Sequence, residues 1–281
     1  MNEVASQGGI WPSARRLPSL SALLVGAALS CNGPVGLYPD TGTDREAITL
    51  NGRVVDFESC ASWNRCTAVE GVEVRLRTLP EVASEPTTSP GRFALESPPA
   101  REDDLLVTEP LGGFGRFAPT LNPWAAPPAV SDVYGIELHV LPLGNNSEGR
   151  PSIVTALAAA PLGDRIDLVG DGGYIGQVLR RDSDGLHAVQ EARVEVVLPA
   201  DWPSHVPAPV VRFIQNVPRY ASGDVLYEEG YAATGPFGIF VVPAEGQSAV
   251  LTIRVHAQDT IFTEVVAPVV PGMVTLGIHT P

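Results

Sequence analysis

The chain has 281 residues, 44% of them hydrophobic, with 18 basic residues against 32 acidic ones and a net charge of −14. That apolar content is enough to fill packed cores and excludes wholesale disorder, while the acidic balance repels phosphate backbones and excludes nucleic acid as a partner. All 18 basic residues are arginine, and with 28 Gly and 27 Pro this reads as the codon bias of a high-GC bacterium, not as a functional choice.

Arg15 and Arg16 precede an apolar run from Leu17, and small Ala28 and Ser30 stand just before Cys31. Positive charge, a short apolar run and small residues are the three parts of a secretory signal, and the run is too short to span a bilayer. Ala28-Leu29-Ser30-Cys31 resembles a bacterial lipobox, with Ala28 where Leu is usual. The resemblance implies that residues 1–30 are removed and that Cys31 carries the lipid, each buried methylene contributing about 0.8 kcal/mol to anchoring. The alternative is an ordinary signal peptide cut nearby, leaving Cys31 a free thiol. Asn32 is not the Asp that resembles an inner-membrane retention signal in some bacteria, which points to the outer membrane. Removal of the signal leaves about 250 residues, the length of one large domain or two ordinary ones.

Residues 31–46 are rich in Gly, Pro, Thr and Asp without periodicity and read as a tether. Cys60 and Cys66 follow in SCASWNRCT. In an exported chain this even pair predicts a disulfide closing a short loop. The alternatives are two reduced buried thiols or half of a metal site, and no second Cys or His cluster lies nearby to complete one.

From Ile48 the pattern becomes that of short strands: ITLNGRVVD, VEVRLR, GRFALE, DLLVT and YGIELHVL, separated by Pro and Gly. Val72, Val74 and Leu76 alternate with Glu73, Arg75 and Arg77, as a half-buried antiparallel strand requires. No stretch between Ile48 and Leu141 shows helical periodicity. Strands with one apolar face each need a second sheet to cover it, which predicts a sandwich.

The same order then returns. Gly52-Arg53-Val54 corresponds to Gly176-Gln177-Val178, VEGVEVRL to VQEARVEVVL, Phe93 to Phe240, and IELHV to VTLGI. Gly52 to Val74 is 22 residues and Gly176 to Val196 is 20, so the repeat predicts two homologous domains. Gly91 and Gly238 precede the aromatics, where glycine permits a positive-φ turn.

This order, G-x-V, a loop, an alternating strand, a turn and G-x-F, resembles the carboxypeptidase regulatory-like domain over nearly all of residues 47–142 and 172–281. The resemblance implies an all-β chain of two tandem Greek-key, transthyretin-like β-sandwiches, serving as accessory modules without catalysis. Thr88 and Gly235 stand where that family has an Asp, so no metal role of that Asp carries over.

The linker, residues 143–171, holds one helical candidate, Ser152 to Ala160, preceded by Pro151, capped by Ser152 and stopped by Pro161. It reads first as a spacer laid against one sandwich, and second as a wedge fixing the angle between two. The second copy has an insertion. Val74 to Phe93 is 19 residues and Val196 to Phe240 is 44, and the excess falls within 199–232. Because the first copy closes without them, the inserted residues are expected to lie outside the core. Trp202, Phe213, Tyr220, Tyr227 and Tyr231 of the insert, with Trp124, are the candidate binding residues, facing a protein or the ring of a glycan.

Recognisable catalytic motifs are absent. His139 and His256 fall on the predicted polar faces of strands, and His279 is two residues from the end. Asp182-Ser183-Asp184-Gly185 reads as a hairpin turn before it reads as half a calcium loop, so no metal and no cofactor are assigned. Three readings follow: a non-catalytic lipoprotein that is membrane-anchored through Cys31 and contacts an envelope protein, a glycan-binding module, and an enzyme without a known motif. An exposed apolar patch favours the first, an aromatic row flanked by carboxylates the second, and a cleft holding a buried His beside a carboxylate the third.

Overall fold

A computed structural model describes residues 47–63, 66–98, 104–113, 115–123, 131–145, 149, 151–160, 165–215, 233–257 and 260–280, without the side chains of 62, 63, 260 and 261. All of these belong to one compact unit, Arg45–Pro281. The lipobox, Trp124, Tyr220, Tyr227 and Tyr231 lie outside the described residues.

The protein is all-β. Its first half runs β1 (Ile48–Asp56), α1 (Phe57–Trp63), β2 (Glu73–Leu76), β3 (Arg92–Ser97), β4 (Leu105–Thr108), β5 (Phe117–Ala118), β6 (Thr120–Asn122) and β7 (Val133–Pro142). After α2 (Ile153–Ala158), the second half runs β8 (Gly173–Asp182), β9 (Gly185–Ala188), β10 (Arg193–Val197), β11 (Arg212–Phe213), β12 (Ile239–Pro243), β13 (Ala249–Ala257), β14 (Thr260–Val269) and β15 (Val274–His279).

The two halves repeat one pairing scheme. In the first, β1 pairs antiparallel with β3 and parallel with β7, facing a sheet in which β4 pairs with β2 and β6. In the second, β8 pairs antiparallel with β12 and parallel with β15, facing a sheet in which β13 pairs with β10 and β14. Hydrophobic alternation produces this arrangement: Val72, Val74 and Leu76 turn inward beside Leu105 and Val107 to meet Val54, Phe93 and Leu95 of the opposite sheet. Tyr174, Val178, Phe240, Leu251 and Ile253 form the equivalent core of the second half.

Equivalence extends to single atoms. Gly52 faces Phe93 across the strand pair, and Gly176 faces Phe240. A Cβ on Gly176 would fall 2.2 Å from Phe240 Cζ, so the glycine makes room for the ring. Gly91 (φ +72°) and Gly238 (φ +66°) turn the chain so that their carbonyls accept from Val54 N–H and Val178 N–H at 2.8 and 2.9 Å. Val69 N–H donates to the Val54 carbonyl and Val189 N–H to that of Val178. These pairs match Val69 to Val189 and therefore Val74 to Val194, which corrects the match of Val74 to Val196 by two residues. A two-residue slip keeps side-chain parity, so alternation does not detect it.

The copies differ after their first strands. In the second, β8 runs on into a hairpin with β9, pairing Asp182 with Gly185 as a turn predicts. In the first, the chain forms α1, a helix that the periodicity did not indicate. It is seven residues long, too short to show a period. A cap and a crosslink hold it: Asp56 Oδ1 accepts from Glu58 N–H at 2.9 Å, and Cys60 is disulfide-bonded to Cys66 with Cα atoms 4.2 Å apart.

The halves are joined in two ways. Parallel pairing of Val274 and Thr275 in β15 with Thr120 and Leu121 in β6 makes one sheet of the order β11-β12-β8-β15-β6-β4-β2. Beside that seam lies a third apolar cluster, in which Phe57, Ala118 and Leu141 of the first half meet Ile175, Ile239, Val241 and Leu276 of the second around Ile153, Val154 and Leu157 of α2. The predicted Ser152 cap accepts from Thr155 N–H at 3.2 Å. Glu58, fully buried, adds a 2.6 Å bond from Ile153 N–H. The helix is thus the wedge between the halves, not a spacer against one sandwich, because its apolar residues are buried by both.

Candidate functional site

Concave surface gathers where the halves meet. Alternation along β7 turns Leu138 and Val140 into the core and leaves Glu137 and His139 on the other face. Arg53 Nε donates to Glu137 Oε2 at 2.8 Å from the neighbouring strand, and His139 Nε2 stands 3.7 Å from Glu137 Oε1. Asn122 acts as a clamp: its Oδ1 accepts from His139 N–H at 2.9 Å and its Nδ2 donates to the His139 carbonyl at 3.0 Å. Phe57 meets the imidazole edge to face at 6.1 Å. Burial lowers the pKa of His139 and outweighs the opposing pull of Glu137, with Arg53 lowering it further.

Two concavities of about 400 Å³ flank this pair, and Glu137, His139 and Ile278 line both. One extends over Asn122 and Pro123, the other over the Cys60–Cys66 disulfide, Leu186 and Phe237. A cleft with a largely buried histidine beside a carboxylate is the feature expected of an enzyme. Among the described residues that line it there is no serine, threonine or free thiol.

Of the predicted binding residues, Trp202 and Phe213 are described, and both belong to the second half's apolar cluster. Phe213 is buried in the second core, paired with Phe240 through β11. Trp202 packs against the same core and donates from Nε1 to the Val206 carbonyl at 3.2 Å. The expectation that the insert lies outside the core is therefore corrected for its first part: Phe213 is buried in the second core and Ile214 in the cluster around α2, and β11 adds a strand to the sheet. Trp202 also lines a groove of about 460 Å³ with Arg77, Asp201 and Gln247. Among the described residues of this lining, Trp202 is the one aromatic, and Asp201 stands beside it. Val250 and Val266 stand exposed on the outer face of the β13–β14 pair, next to Thr252.

Sequence reasoning missed three buried polar groups. His279, which the sequence places two residues from the end, is fully buried, with Nε2 2.7 Å from the Tyr174 hydroxyl and its ring 5.5 Å from that of Phe240. The Thr87 and Thr234 hydroxyls donate to the carbonyls of Val69 and Val189 at 2.9 and 2.7 Å and accept from Val72 and Ala192 N–H. The signal for these two was present in both copies as T-x-x-x-G-x-F, with the threonine four residues before Gly91 and Gly238.

No protein-family model matches the chain, and no curated protein matches it. Among solved structures, similarity is found to the Bacillus anthracis TIE protein at 10% identity, over 84% of this chain and 34% of that one, with a TM-score of 0.23. The chain thus spans about a third of that protein's length. The shaft pilin SpaA from Lactobacillus rhamnosus GG is similar at 9% identity over 84% of this chain and 98% of its own, with a TM-score of 0.22. GBS52, the minor pilin of Streptococcus agalactiae, is similar at 9% over 83% and 95%, with a TM-score of 0.23. At TM-scores this low the likeness says nothing about what this chain does.

Proposed function

We propose that the chain is a lipoprotein of the bacterial cell envelope, anchored in the outer membrane through Cys31, whose two joined sandwiches form a non-catalytic platform for an envelope protein partner. The observation that carries the reading is the shared core: α2 and the β6–β15 seam turn two small sandwiches into one body, an arrangement suited to presenting a fixed surface. The repeated pairing scheme supports the assignment of both halves to the carboxypeptidase regulatory-like domain, and the lipobox and the disulfide support export. Cys31→Ser is expected to move the protein from the membrane fraction to the soluble one, and the lipidated protein to capture a stoichiometric partner from its own envelope. Unchanged membrane partition of the variant sinks the anchor.

A second reading is favoured by the Trp202 groove. An aromatic face with Asp201 and Gln247 beside it suits the ring and hydroxyls of a glycan. Trp202→Ala is expected to abolish retention on cell-wall polysaccharide if that reading holds and to leave it unchanged if the partner is a protein.

A further inference from the structure

Among the described residues the β8–β9 hairpin has no counterpart in the first half, which has α1 and the disulfide after its first strand. Its pairing sets Arg180 opposite His187 and Asp182 opposite Gly185, so Asp182 and His187 share one face of the hairpin, and Asp184 stands in the turn between them. One ligand atom from each of Asp182, Asp184 and His187 lies within 4.8 Å of the others. His187 Nε2 is 3.1 Å from Asp184 Oδ1, a contact that an ion pair in a turn would also make; Asp182, on the opposite strand, is the donor that such a pair does not need. We propose that these three side chains bind a divalent transition-metal ion.

The donor set selects the class of ion. Two carboxylate oxygens and one imidazole nitrogen suit zinc, cobalt, nickel or manganese, whereas calcium seeks six to eight oxygens, which a two-residue turn does not supply. Three protein donors leave coordination positions open. Asp182 and His187 line a concavity of about 720 Å³ that also receives Glu191 and His256. Glu191 holds φ at +59° in the place that Gly71 takes in the first half, so the second half keeps a carboxylate there where the turn is suited to glycine. Arg180, in the same lining, has its guanidinium over the Phe262 ring, 6.0 Å from the centroid.

Isothermal titration of the mature chain with zinc chloride, and separately with calcium chloride, tests the proposal. The expected result is one zinc site, weakened by roughly tenfold or more in each of Asp182→Asn, Asp184→Asn and His187→Ala, and retained in His256→Ala. All three positions are exposed, so the variants are expected to melt with the wild type, and a thermal scan of each confirms that lost binding is not lost folding. No zinc binding, equal binding by His187→Ala, or a calcium site indifferent to His187 overturns the proposal.

Discussion

Each sandwich closes over a phenylalanine that lies on a glycine of the neighbouring strand, and this fit is repeated in both halves. Gly176→Ala sets a methyl against the Phe240 ring and is expected to cost about 1–3 kcal/mol by overpacking. Phe240→Ala empties the same place and is expected to cost about 3–5 kcal/mol. Urea titrations of the two variants check both, and a Gly176→Ala protein as stable as the wild type contradicts the packing. His279 makes a different prediction. Burial pushes its pKa down to about 4, while in the unfolded chain it titrates near the ordinary value of about 6.5. As pH falls through that window the unfolded chain takes up the proton first, so the stability present above about pH 6.5 declines until about pH 4, by about 3 kcal/mol for this group. His279→Gln, which keeps a partner for the Tyr174 hydroxyl, is expected to remove that part of the slope; identical pH profiles for variant and wild type contradict it. Burial at chain end was not legible in the sequence, since nothing in IHTP marks residue 279 as the lid of an aromatic cluster.

At the scale of elements, alternation carried most of the fold. β1 spans the predicted run, and β2, β3, β4 and β7 lie within a residue or two of theirs. What alternation did not reveal is which faces the second half covers. β3 reads RFALES, alternately exposed and buried, whereas its counterpart β12 reads IFVVP and is buried throughout, Phe240 and Val242 toward the second core and Ile239 and Val241 toward α2. A strand apolar on both faces indicates a sheet covered on both sides, so the wedge was present in the sequence as a loss of alternation. Leu157→Ala in that wedge is expected to cost about 2–5 kcal/mol. The insert is read differently in the light of β11: Phe213→Ala is expected to cost about 3 kcal/mol or more, and replacing 199–232 by the first half's short connection is expected to lower the melting temperature by roughly 6–12 °C or more. Circular dichroism melts measure both. A shortened chain that melts with the wild type returns Phe213 to the surface.

At the scale of the whole molecule, two cores that each belong to one half are bridged by a third that belongs to neither, and the bridge decides whether the halves act as one. Its parts come from far apart in the chain: Phe57 at the start of α1, Leu141 in β7, α2 in the connection, and β15 at the end of the second half pairing with β6 of the first. Non-local pairing of two residues on each strand leaves little trace in a sequence, which is why the repeat was legible and its fusion was not. The proposed platform role requires that the two halves hold one orientation, and so requires that bridge to be cooperative. Scanning calorimetry of the chain tests it most directly, with Leu157→Ala measured alongside. One transition is expected, with calorimetric and van't Hoff enthalpies in agreement and shifted as a whole in the variant. Two separable transitions, with Leu157→Ala moving only one of them, would contradict it.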